Sequence, residues 1–88
     1  MKITSETIET MPAIRKATPH EIERLADPNE GNYSAEDAAT AEVVARDEHG
    51  AILYRLPSAT SDIRFAVESG SGEIYAGMSA EEAAQEWN

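Results

Sequence analysis

Two stretches decide the fold: Ala51-Ile52-Leu53-Tyr54-Arg55-Leu56 and Asp62-Ile63-Arg64-Phe65-Ala66-Val67-Glu68. In the first, Ile52, Tyr54 and Leu56 fall on one face of an extended chain; in the second, Ile63, Phe65 and Val67 do so. A period of two is the signature of half-buried antiparallel strands. Working outward, Glu42-Val43-Val44-Ala45-Arg46 precedes the polar loop Asp47-Glu48-His49-Gly50, and Ser69-Gly70-Ser71-Gly72 leads into Glu73-Ile74-Tyr75-Ala76-Gly77-Met78. Both loops have the length and chemistry of hairpin connections. The expectation is an α+β fold: a small antiparallel sheet of about four strands in a meander, with a C-terminal helix and one or two short N-terminal helices.

The helices announce themselves through their starts. Ser79-Ala80-Glu81-Glu82 fits a capping box, and Ala80, Ala83, Ala84 and Trp87 then recur on one face, with Trp87 the only large anchor. Thr18-Pro19-His20-Glu21 is a second capping box with proline at the first helical position; Ile22 and Leu25 face inward on a helix ending near Asp27-Pro28. Ser34-Ala35-Glu36-Asp37 is a weaker N-cap signal, and the boundary between helix and strand within 35–46 stays open. Ile3, Ile8, Met11 and Ile14 are spaced too irregularly to choose helix or strand, so residues 1–16 have no assigned structure. Residues 1–88 are read as one domain, with a less regular segment over 1–33 and the sheet and last helix over 34–88.

The chain has 88 residues and a formal net charge of −10, with no cysteine. That length supports one small core and leaves little room for a deep enclosed site. Without cysteine there is no disulfide framework, thiolate metal site or cysteine nucleophile. The net charge opposes direct binding to nucleic acid or anionic membrane. No signal-peptide pattern or membrane-length apolar run is present, so the expected location is cytoplasmic.

Tests for chemistry return plain readings. His20 lies in a helix's first turn and His49 in a hairpin loop, neither at metal-ligand spacing from another histidine or carboxylate. No Gly-x-Ser-x-Gly elbow occurs. Gly70-Ser71-Gly72 lacks the third glycine of a dinucleotide fingerprint, since position 75 is tyrosine, and lacks a phosphate-loop lysine. Asp27 to Asn32 departs from a calcium loop in its glycine position. No catalytic residue, metal or cofactor is assigned, and the protein is not expected to be an enzyme.

Charge placement is the one distinctive feature. Residues 1–33 hold 6 acidic and 4 basic residues, whereas 34–88 hold 11 acidic and 3 basic. After Arg64 there is no lysine or arginine, while Glu68, Glu73, Glu81, Glu82 and Glu86 follow. Glu68 and Glu73 flank a tight turn and are expected to meet across it; Glu82 and Glu86 repel at helical spacing. Tyr75, on the strand face opposite Ile74, and Trp87 are candidate partner anchors. The expected partner-binding set is Glu68, Glu73, Tyr75, Glu81, Glu82, Glu86 and Trp87.

A small acidic, cysteine-free α+β chain, with strands such as Asp62-Ile63-Arg64-Phe65-Ala66-Val67-Glu68 joined by tight turns, resembles the inhibitor proteins made by phages and other mobile elements, anti-CRISPR proteins among them. The resemblance rests on profile, and no functional residue is carried over by it. It implies stoichiometric inhibition of a nuclease or surveillance complex, without catalysis or cofactor. The expected function is therefore a non-enzymatic inhibitor whose acidic surface blocks a basic, nucleic-acid-handling protein in the manner of a nucleic-acid mimic. Alternatives are an antitoxin-like or regulatory interaction module, or a small oligomeric structural protein, a homodimer included.

Overall fold

The computed structural model describes residues 3–87; Lys2 lies outside them. Five antiparallel strands form one sheet in sequence order: β1 (Arg15–Lys16), β2 (Glu42–Arg46), β3 (Ile52–Arg55), β4 (Phe65–Glu68) and β5 (Ile74–Met78). Among the described residues there are four helices: α1 (Ser5–Thr10), α2 (Pro19–Ala26), α3 (Ala35–Ala39) and α4 (Ala80–Trp87). The α+β meander and C-terminal helix are those expected, but the sheet has a fifth strand. Residues 15–16 are too few to show alternation, and β1 is held by its flanks, where the Ile14 N–H donates to the Val43 carbonyl (2.7 Å) and the Ala17 N–H to that of Ala41 (3.0 Å).

Each helix begins where a side chain meets its free N–H groups. At α2 the Thr18 hydroxyl accepts from the Glu21 N–H while the Glu21 carboxylate accepts from the Thr18 N–H. At α4 Ser79 and Glu82 repeat the exchange. Ser34 caps α3 and Thr4 caps α1, which assigns the irregular stretch around Ile8 to a helix. These caps contribute about 1 kcal/mol each, a large share for helices of five to eight residues that are marginal alone.

Strands β2, β3 and β4 are buried on both faces, which corrects the half-buried reading for them, while β5 alternates between partly buried and exposed residues. On one side Val43, Tyr54, Leu56 and Ala66 pack with Leu25 of α2, Ala38 of α3 and Tyr33. On the other, Val44, Leu53, Phe65 and Val67 pack with Ile8 of α1 and Ala83 of α4, and Trp87 closes this cluster while only partly buried. Alanine on the inner face of α4 lets that helix approach the sheet closely, so Leu53, alternating away from Tyr54, meets protein rather than water. A bulge in β2 completes the arrangement: Val43 pairs with Tyr54 and Ala45 with Leu53, leaving Val44 as the extra residue. The bulge shifts the alternation by one, so that Val43 serves one core and both Val44 and Ala45 the other. Ile63 does not join the row of Phe65 and Val67; its N–H donates to Thr60 in a turn and its side chain is 37% exposed.

A second bulge lies in β5, where Phe65 pairs with Met78 but Val67 with Tyr75. Gly77 supplies the positive φ of 70° that the extra residue requires. Its N–H donates to the Tyr33 hydroxyl (2.9 Å), which lies 2.6 Å from the Ile63 carbonyl oxygen and 2.9 Å from that of Phe65. Tyr33 is delivered by the loop after α2, whose Gly31 lies so close that a Cβ there would come within 2.3 Å of the Leu25 carbonyl oxygen. Replacing Tyr33 by Phe leaves the Gly77 N–H without its partner; we expect a loss of about 1–3 kcal/mol in urea unfolding, with the fold retained.

Glu21 does double duty, because its carboxylate caps α2 and also receives the Arg15 guanidinium through two bonds of 2.7 and 3.0 Å. Arg15, then the Thr18 N–H, hold its carboxyl down at about 2 against an ordinary 4.5. A carboxyl lowered on folding stabilises the native state fully above its ordinary value, and that contribution is lost as pH falls towards the native one. Stability should therefore decline between about pH 5 and pH 2, and in Glu21→Gln, already weaker at neutral pH, the decline over that window should be shallower in thermal melts.

Candidate functional site

The exposed charge collects on the layer made by α1 and α4. Glu6 and Glu9 of α1 and Glu81, Glu82 and Glu86 of α4 are exposed, and neither helix contains lysine or arginine. The two helices pack together, which brings Glu6 and Glu9 beside Glu81, with Asp62 from the β3–β4 loop. These four carboxylates line an open groove of about 370 Å³ that also presents the hydroxyls of Ser5, Ser61 and Ser79. The sequence divides a mildly acidic N-terminal third from an acidic remainder, yet packing joins Glu6 and Glu9 to the C-terminal helix. Heptads or motifs could not have signalled this, because the contact is between residues more than 70 positions apart.

Of the expected partner-binding residues, Glu68 is the exception. In the register Glu68 faces Ile74, so Glu73 is one position out of step and points to the opposite side of the sheet. The two do not meet across the turn. Glu68 instead turns towards α2, 15% exposed, accepts from the Tyr54 hydroxyl (3.0 Å) and lies 3.2 Å from the Arg24 guanidinium. Arg24 also holds Glu30 and donates to the Gly72 carbonyl, which fixes α2 over the β4–β5 turn. Burial, then the charges of Glu68 and Glu21, push the Tyr54 phenol well above its ordinary value, so it remains a donor. Glu68 is thus part of the scaffold, largely covered, with a structural role that its position in an acidic run concealed.

Glu73 and Tyr75 stand together on the α4 side, with the Tyr75 hydroxyl donating to Glu73 (2.8 Å). Glu73 and, less strongly, Glu86 hold the phenol's proton on. Tyr75 is 44% exposed and Trp87 is half-buried against the core, so of the two anchor candidates Tyr75 is the open one. Glu82 is exposed but its carboxylate is engaged with the Ser79 N–H.

Three of the arginines, by contrast, are taken up in ion pairs and partly covered, while Lys16 and Arg46 are exposed. Arg15 binds Glu21, Arg24 binds Glu30 and Glu68, and Arg55 binds Glu42 at 2.7 Å while donating to the carbonyls of Ile8, Glu9 and Met11 at the end of α1. A cation there opposes the partial negative charge of the helix C-terminus. His20 and His49 are exposed, and among the described residues no group of three histidine, aspartate or glutamate side chains is placed to hold a metal ion. No helix among them is long and apolar enough to cross a membrane.

The division between interior and exterior carboxylates is measurable. Glu68→Ala strands both the Tyr54 hydroxyl and part of the Arg24 pairing and should cost about 1–3 kcal/mol. Glu86→Gln, which relieves repulsion with Glu82 on an exposed face, should change stability by no more than about 0.5 kcal/mol. Chemical denaturation of the two variants compares them directly. No protein-family model matches the chain, and neither a curated protein nor a solved structure matches it.

Proposed function

We propose that this protein is a non-enzymatic inhibitor that lays its α1/α4 face against a basic groove of a nucleic-acid-handling protein or complex in the cytoplasm. The observation that carries this reading is the joining of Glu6, Glu9, Asp62 and Glu81 around one open groove, while Arg15, Arg24 and Arg55 are engaged in ion pairs with other carboxylates. Carboxylates clustered on helices that contain no lysine or arginine raise a negative potential, which steers association with a basic partner and repels nucleic acid. The likeness to small phage inhibitors, the anti-CRISPR proteins among them, supports the same reading: binding in place of nucleic acid, with no turnover and no cofactor. Glu81 and Glu86 of the expected set remain on this face, Glu6, Glu9 and Asp62 join it, and Glu68 leaves it.

The test uses the intact chain, immobilised, to capture proteins from a lysate of its source at about 50 mM and about 500 mM salt, with duplex DNA as competitor. A nucleic-acid-handling protein should be retained at low salt, released at high salt and displaced by DNA. Reversal of Glu6, Glu9 and Glu81 to lysine should weaken that capture at least about tenfold. Retention that ignores both salt and the triple reversal would sink the proposal.

A further inference from the structure

We propose that the free edge of β5 is a second docking element, which takes an extended segment of a partner protein as a sixth strand carrying basic and apolar residues in alternation. This rests on the proposed function only for the sign of the partner's charge. The two edges of the sheet differ in kind. At one, β1 is two residues long and both carry positive charge, the usual protection of an edge. At the other, β5 runs over Ile74-Tyr75-Ala76-Gly77-Met78 without a charge or a proline, and among the described residues no strand pairs with its outer side.

The register identifies which backbone groups are open. The Ser69 N–H donates to the Glu73 carbonyl (2.8 Å), and hydrogen-bonded pairs recur at every second residue of an antiparallel ladder. The Val67–Tyr75 pair is therefore the next to bond, and Ile74, paired with Glu68 between them, turns its N–H and carbonyl away from β4. The Gly77 N–H is already taken by Tyr33, which limits the free ladder to the first part of the strand. The Ile74 side chain packs against the core under α2, so the strand is anchored while its edge is open.

The two sides of this edge specify the occupant. On the α4 side stand Tyr75, Glu73 and Glu86, with no cation paired to either carboxylate among the described residues. On the other side lies a concavity of about 430 Å³ whose lining is part polar, Glu30 and Asn32, and part apolar, the exposed Ile63 and Ala76, beside Tyr33 and Gly77. Alternate side chains of an added strand point to these two sides, so one set meets Glu73, Glu86 and a phenol ring and the other meets Ile63 and Ala76 within a partly polar concavity. Lysine or arginine suits the first and valine or isoleucine the second, with the ring of Tyr75 offering a cation–π contact. A second copy of this chain is the wrong occupant, because pairing β5 with itself brings Glu73 and Glu86 against their own equivalents.

The probe is a capped peptide of alternating lysine and valine, titrated into the isotope-labelled full chain and followed by amide chemical shifts and hydrogen exchange. Binding at up to about 1 mM should move the amides of residues 73–78 and slow exchange of the Ile74 amide. An acidic peptide of the same length should produce neither effect. Exchanging the Ile74 amide for an ester removes the outward N–H with little steric change and should weaken binding at least about fivefold, as should Glu73→Gln with Glu86→Gln. Reversal of Glu6, Glu9 and Glu81 should leave peptide binding within about twofold, so this inference and the α1/α4 reading fail separately. No binding at that concentration, shifts centred on Glu6 and Glu81, an ester without effect, or self-association through residues 73–78 would each overturn the proposal.

Discussion

Helix α2 reaches the sheet through a polar seam, in which Arg24 joins Glu30 and Glu68 while Glu68 receives the hydroxyl of the buried Tyr54. A second arm, from Arg15 to Glu21, fixes the start of the same helix. Helices of five to eight residues bury too little surface to stay in place by apolar contact alone. The seam and the caps supply what packing cannot, and they do it by drawing arginines inward. Arg55 acts likewise on the other face, where it closes α1 and binds Glu42. Three of the chain's seven lysines and arginines are engaged in this way, each with at least one carboxylate of its own, so the pairs leave the net charge almost as composition gives it.

The distribution of these ion pairs separates two populations of carboxylate that look alike in the sequence. Glu21, Glu42 and Glu68 are held by arginine and are part of the scaffold. Glu6, Glu9, Glu81 and Glu86 lie outside, on helices without a cation, where repulsion between them is tolerated because water screens it. A surface that opposes its own folding slightly and concentrates one sign of charge is suited to association with the opposite sign.

The meander, the three cap sites at Thr18, Ser34 and Ser79, and the turns at Asp47-Gly50 and Ser69-Gly72 were legible, because each depends on neighbours within a few residues. What escaped reading depends on distant partners. The strand at Arg15–Lys16 exists only because β2 accepts it, and α1 becomes visible through Ile8 packing beneath α4. The bulge at Val44 was hidden for a different reason, since Val43-Val44-Ala45 is apolar throughout and alternation cannot show which residue is extra. At Glu68 the sequence offered a charge in an acidic run, and only the register against Ile74 shows that it faces inward.

The Tyr33 hydroxyl has a consequence for how separate parts of the molecule communicate. It belongs to the loop that follows α2, yet its hydrogen bonds are to β4 and β5. The alignment of the edge strand and the conformation of residues 27–33 are therefore linked, and by reciprocity each stabilises the other by the same free energy. Gly31 tightens that linkage, because the loop lies so close to Leu25 that a Cβ would not fit there. A pull on the outermost strand would be felt in the loop at the far end of α2, where the phenol is a mechanical tie that acts beside the contacts of Arg24 to Glu68 and Gly72.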